Sequence, residues 1–292
     1  MMCPRPQLRH CILVLWIICI SVGSLTAQSS NDEIACYQNR KDNQAYKKKL
    51  WDGYEISLGR SSNPEAVEDA CTAAIYNRAG NVVFRTNGYN VIFDEHETGQ
   101  DFDGDGKPEV VFRTDIGGGN HCCWTFNVVS LSPKPHKLFD LPPSSFEKDA
   151  QGKMLIWERL QGTATYTSMA NQPFAERVFR VREGKLVDAT PEFCPKILSP
   201  ESEDFEEQGR VLTSEAIKRL QSDTGSGEMD EVVSALLSRA LQHVFCRQFD
   251  EAMNDLNLWP EATRAKMKNN FAQPIEQDFP DFAKRLRDPN SK

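Results

Sequence analysis

The densest chemistry in the sequence lies in one short run, Asp101-Phe-Asp-Gly-Asp-Gly-Lys-Pro-Glu109. Its first, third, fifth and ninth residues are carboxylates, and with the backbone carbonyl of Lys107 they can converge on one hard cation. Without a cation, Asp101, Asp103, Asp105 and Glu109 repel one another inside a single turn. Gly104 and Gly106 permit the tight winding that such a loop needs. Calcium is the expected ion, since magnesium demands stricter octahedral geometry and keeps more of its water. The run leads into Val110-Val111-Phe112, strand-forming residues, so a filled loop would set where a strand begins.

The loop begins like an EF-hand and departs from one. The twelfth position, which would be a bidentate Glu, is Phe112, the eighth is Pro108, and the residues beyond favour a strand over a helix. A DxDGDGxxE run entering a hydrophobic strand resembles the calcium loop of FG-GAP and VCBS-type repeats, the blade units of integrin-like propellers. The resemblance implies Asp101, Asp103, Asp105, the carbonyl of Lys107 and Glu109 as ligands, with Glu109 where the family more often has Asp. A longer run, through Gly117-Gly-Gly-Asn-His-Cys-Cys-Trp124, resembles a feature of small secreted bacterial proteins and implies a context without an activity.

Other chemistry is sparse. No G-x-S-x-G elbow, HExxH or phosphate loop occurs, which counts against the common hydrolases and names no catalytic residue. Beyond the N-terminal leader the histidines are His96, His121, His136 and His243. A glycosidase needs only two carboxylates, which sequence does not locate, so Glu158 beside Trp157 or Glu95 beside His96 can be invoked only without support. The Gly117 to Trp124 segment could place backbone amides around an anion or hold a ligand against Trp124, although a wide turn stapled by cysteines is the simpler reading.

The first 27 residues read as a secretory signal peptide. Arg5 and Arg9 precede an apolar run from Ile12 to Ile20, then small and polar residues to Ala27. No other stretch approaches membrane-span length. The full chain has 292 residues, 34 basic and 42 acidic, for a net charge of -8. Losing Arg5 and Arg9 leaves 32 basic against 42 acidic residues, or -10. Such acidity argues against nucleic acid and anionic lipid as partners and leaves a protein or glycan ligand. Export, secreted or periplasmic, implies oxidised thiols. Six cysteines follow the leader: Cys36, Cys71, Cys122, Cys123, Cys194 and Cys246. Three disulfides are expected, with the pairing open. Cys71 and Cys123 stand at equivalent places before their hairpins, which makes them the first choice for one bridge.

These residues need a scaffold, and a period of about fifty residues suggests one. Strand runs at Tyr54 to Leu58, Thr72 to Tyr76 and Val82 to Thr86 are matched by Glu109 to Thr114, Thr125 to Leu131 and His136 to Leu141. They are matched again by Met154 to Leu160, Arg177 to Arg182 and Lys185 to Asp188. The expected fold is mainly β, with three blade-like three-strand meanders in an incomplete propeller or compact sandwich over 28–195. An acidic linker over 196–210 and an α-helical region over 211–292 follow. In the latter, Val232, Val233, Leu236, Leu237, Ala240, Leu241, Val244 and Phe245 recur at helical spacing after a cap candidate, Ser226. Further helices are expected from Thr213 to Gly225, around Phe249 to Leu256, and from Pro260 to Pro274. Leu241 to Leu256 resembles part of a tetratricopeptide-type hairpin, a stripe that serves as core in most proteins. The reading is an exported calcium-binding β module in recognition or structure at the cell envelope; the alternative is a secreted hydrolase, for example carbohydrate-active, with structural calcium.

Overall fold

The computed structural model describes residues 33–36, 45–61, 70–115, 124–142, 144–161, 165–168, 171–222 and 229–288. The signal-peptide candidate, Ser226, Cys122, Cys123 and the loop before Trp124 lie outside them.

A short strand, β1 (Glu33–Ala35), is followed by three antiparallel meanders in chain order. The first sheet is β2 (Tyr46–Lys49), β3 (Glu55–Arg60), β4 (Cys71–Tyr76) and β5 (Val82–Gly88). The second is β6 (Asn90–Asp94), β7 (Glu109–Asp115), β8 (Trp124–Ser130) and β9 (His136–Leu141), with β1 paired on the free edge of β6. The third is β10 (Ser144–Lys148), β11 (Met154–Gln161), β12 (Phe174–Arg182) and β13 (Lys185–Asp188). Mainly-β structure in three blade-like sheets is thus the observed fold, and each meander has one strand more than expected at its start, the second sheet gaining β1 as well. Those added strands, β2, β6 and β10, are short. β2 and β10 are also polar edge strands, and the lysines of β2 suit an edge that must not recruit another chain.

The sheets stack face to face because the middle one is apolar on both sides. Along β7, Val110 and Phe112 enter a core shared with Ile56, Leu58 and Ile75 of the first sheet. Val111, between them, turns to Met154, Ile156 and Phe179 of the third. Period-two alternation therefore builds two cores from one strand.

Seven helices follow among the described residues: α1 (Thr190–Ile197), α2 (Glu203–Val211), α3 (Ser214–Ser222), α4 (Asp230–Phe245), α5 (Phe249–Asn257), α6 (Glu261–Ile275) and α7 (Pro280–Arg287). The acidic stretch expected as a linker contains α2, whose first turn holds Glu203, Asp204 and Glu206, where the helix dipole favours negative charge. Thr213 caps α3 as expected, its Oγ1 accepting from Ala216 N–H at 3.1 Å. The apolar stripe of α4 is buried core, packed with Leu256, Met267, Ile275 and Phe282.

The helices are bonded to the third sheet. β13 pairs only with residues 179–182 of β12, leaving the first half of that strand without a ladder partner on this side. Buried Ser238 and Gln242 of α4 supply one: Phe174 N–H donates to Ser238 Oγ at 3.0 Å, and Glu176 N–H donates to Gln242 Oε1 at 2.8 Å. Gln242 Nε2 donates back to the Glu176 carbonyl at 3.0 Å. Those bonds satisfy backbone groups that burial would otherwise orphan.

Two disulfides are present among the described residues. Cys36–Cys71 ties the end of β1 to β4, and Cys194–Cys246 ties α1 to the end of α4. The expected Cys71–Cys123 bridge is therefore replaced: Cys71 is already paired with Cys36, which β1 carries to the core face of the first sheet. No helix among the described residues is long and apolar enough to cross a membrane.

Candidate metal centre

The acidic loop joins β6 to β7, and its base is closed by backbone bonds. Gly99 N–H donates to the Glu109 carbonyl at 2.8 Å and Glu109 N–H to the Gln100 carbonyl at 2.9 Å. Phe102 pins the loop from below: it is buried and makes edge-on contacts with Phe139 and Phe146 at 6.0 and 5.0 Å between ring centroids. Above that anchor the chain winds tightly, with Gly104 and Gly106 at φ 79° and 83°.

Carboxylates organise the turn. Asp101 accepts from Gly104 N–H at 2.7 Å and from Gly106 N–H at 2.9 Å. Asp103 accepts from Asp105 N–H at 3.0 Å, and Asp105 from Lys107 N–H at 2.8 Å. Glu109 Oε2 accepts from Phe102 N–H at 2.7 Å. Glu109 Oε1 is buried and has no hydrogen-bond partner among the described residues, in a side chain closed off from solvent.

Asp101, Asp103 and Glu109 each bring a carboxylate oxygen within 4.8 Å of the other two. Of the five expected ligands, these three are gathered. Asp105 is exposed and stands outside the group, with its Oδ2 4.0 Å from the ammonium of Lys107. The Lys107 side chain reaches away to Ser132 Oγ. Burial, and then the charges of Asp103, Asp101 and Asp105, push the Glu109 carboxyl up to about 7 against the lowering bond from Phe102. Asp103 is raised for the same first reason, burial.

Asp101, Phe102 and Asp103 also wall a cleft of about 770 Å³ whose other side is basic, with Lys148, Lys153 and Arg182. Arg180 in that wall is held by Asp149 at 3.6 Å and by Glu192. Nothing in the sequence spacing placed these residues opposite the loop, because they come from the third sheet.

The carboxylates considered for glycosidase chemistry separate. Glu158 is buried, with its Oε2 3.8 Å from Arg177 Nη1, on the opposite face of β11 from Trp157. Glu95 is taken by Lys48 and by the Tyr46 hydroxyl, which donates at 3.4 Å, while His96 is exposed. His136 is exposed beside the Lys134 carbonyl, and His243 meets Gln248 Oε1 at 2.8 Å. Trp157 instead joins Glu147 and Glu176 around a second cleft of about 740 Å³, an arrangement that alternation along separate strands conceals in the sequence.

No protein-family model matches the chain, and no curated protein matches it. Among solved structures, the periplasmic lysozyme inhibitor of I-type lysozyme from Aeromonas hydrophyla is similar over 34% of this chain and 89% of its own, at 12% identity and a TM-score of 0.25. A likeness at that level carries no argument about what this chain does.

Proposed function

We propose that the protein is an exported, disulfide-stapled β module whose β6–β7 loop binds one calcium ion as a structural clip. In this reading it serves in recognition or structure at the cell envelope, as an FG-GAP or VCBS-like blade protein, and carries out no catalysis. One observation carries the metal assignment: buried Glu109 leaves Oε1 without a partner while Asp101 and Asp103 stand beside it. A desolvated carboxylate facing two others is costly unless a cation joins them, and an all-oxygen set suits calcium. Export is supported by the signal-peptide pattern and by the two disulfides.

Thermal unfolding without calcium and with calcium at ~10 to 100 mM tests the clip. Extracellular sites of this kind bind at ~10⁻⁴ to 10⁻³ M, so calcium at a hundredfold excess over the dissociation constant should add about 2.7 kcal/mol. The melting temperature should rise with calcium in the native protein and stay fixed in Asp103→Ala. An equal rise in both would overturn the assignment. The hydrolase alternative draws on Trp157 flanked by Glu147 and Glu176. Against it, Glu147 Oε1 is committed to the Trp157 indole N–H at 2.8 Å.

A further inference from the structure

The second cleft lies on the face of the third sheet turned toward α1 and α2, away from the calcium loop. Strand register builds its floor: Ser145 stands opposite Trp157 across β10 and β11, and Arg159 opposite Glu176 across β11 and β12. The last turn of α1 and the start of α2 form the walls, contributing Lys196 and Glu203. The Trp157 ring is fixed in place, with its indole N–H on Glu147 Oε1 at 2.8 Å and its edge against Phe193 at 5.5 Å.

Charge in this cleft is one-sided. Its lining among the described residues carries Glu147, Glu176, Glu201 and Glu203 against Lys196 alone. Arg159 and Asp204, just behind, pair with each other at 3.7 Å and leave that excess unchanged. Glu176 is half-buried, and burial followed by Asp204 and Glu147 raises its carboxyl, with Arg159 and Lys196 opposing. The one ammonium present, Lys196 Nζ, lies 4.8 Å from the centre of the Trp157 ring. An indole face attracts cations through its quadrupole, and here the chain's own lysine occupies that place.

We infer that this cleft is a docking site for a cationic side chain, a lysine or arginine on a basic peptide segment of a partner protein, held over Trp157 and by Glu176. Charge complementarity selects the occupant. A neutral sugar would stack on the ring and leave the excess of three negative charges uncompensated. A second copy of this chain, at a net charge of -10 without its leader (32 basic against 42 acidic residues), would be repelled. Lys196 then acts as an internal competitor, swinging aside when a partner's cation enters. The inference is independent of calcium, since the residues involved are separate from the β6–β7 loop.

Titration of the full chain with tetralysine, followed by calorimetry in calcium-free buffer, tests it. Glu176→Gln and Trp157→Leu should each weaken binding by about fivefold or more, the loss of one ion pair or one cation–π contact. Lys196→Ala should tighten it, since the competing ammonium is gone. Glu261→Gln, which removes an equal charge from the exposed first residue of α6, should change it by no more than about twofold. Equal weakening by Glu176→Gln and Glu261→Gln would reduce the effect to general acidity and overturn the inference. So would weaker binding in Lys196→Ala, or Trp157-dependent binding of chitotetraose with none of tetralysine, the result a saccharide site requires. If Trp157→Leu does not fold, the opposed responses of Glu176→Gln and Lys196→Ala still decide the question.

Discussion

Glu109 is where the acidic loop and the β core make opposite demands on one side chain. As the first residue of β7 it is carried inside, and as the last residue of the loop it faces Asp101 and Asp103. Glu109→Gln separates the two demands. The amide keeps an oxygen for the Phe102 N–H and offers an N–H₂ to the neighbouring carboxylates, so it removes a buried charge and satisfies the orphaned position. Metal-free Glu109→Gln should therefore be more stable than the metal-free native protein, by about 1–3 kcal/mol, and should show no gain with calcium. Chemical denaturation with and without chelator measures both quantities. A variant less stable than native protein without metal would mean that Oε1 is satisfied in some other way. At this scale the sequence was legible where chemistry depends on spacing: Asp101, Asp103 and Glu109 were identified from it and do converge. Phe102 was not, because its role as an anchor depends on Phe139 and Phe146, which belong to other strands.

Among the elements, periodicity revealed the long and strongly patterned ones. The stripe of α4 and the central strands β4, β7, β8, β11 and β12 stand near their expected places, because burial on a fixed side imposes a period on composition. β2 and β10 escaped because edge strands are allowed to be polar, and α2 escaped because its acidic first turn reads as a linker. Element contacts that join distant residues were invisible for the same reason. Arg177 of β12 reaches Glu158 of β11 and donates to Asp278 Oδ2 at 2.9 Å in the turn after α6, with its guanidinium near the rings of Phe179 and Phe245. Burial raises the Glu158 carboxyl, and Arg177 opposes that shift. A carboxyl raised in the fold contributes stability that is complete below the ordinary carboxylate range and lost as pH rises through its folded value. Arg177→Met keeps apolar volume and removes the opposing charge. It should cost about 3 kcal/mol at neutral pH, with a deficit that shrinks toward pH ~4 as Glu158 protonates. Urea melts across that range measure it; a deficit independent of pH would place the loss in packing alone. Gln242→Leu tests the other junction. It strips the partners from Glu176 N–H and C=O, and should lower stability by about 2 kcal/mol while leaving the disulfides formed, as thiol titration would show.

For the whole molecule, the order of layers determines how far a local change travels. The first sheet packs on the second through one core, the second on the third through another, and the third on the helices through α1 and α4. Cys194–Cys246 closes a loop of 52 residues between α1 and α4, the two helices at that last junction, worth about 4 kcal/mol by loop entropy. The acidic loop proposed to hold calcium sits elsewhere, at the start of β7 in the middle sheet. Chelation should therefore release the residues that the loop organises: Phe102 loosens, the Gly99 and Gln100 bonds to Glu109 open, and β7 loses its fixed beginning. Amide exchange should rise over 93–115, most at Gly99, Phe102 and Glu109, whose bonds close around Glu109. The helices after residue 210 have their own core of Leu236, Leu256, Met267 and Ile275, and they are tied to the third sheet by Gln242 and to α1 by a disulfide. Their protection should stay as it was. Exchange measured with and without chelator, with the disulfides intact, distinguishes a clip from a keystone. Equal loss in both regions would mean that the ion holds the whole stack, and no change over 93–115 would mean that the loop stands without it.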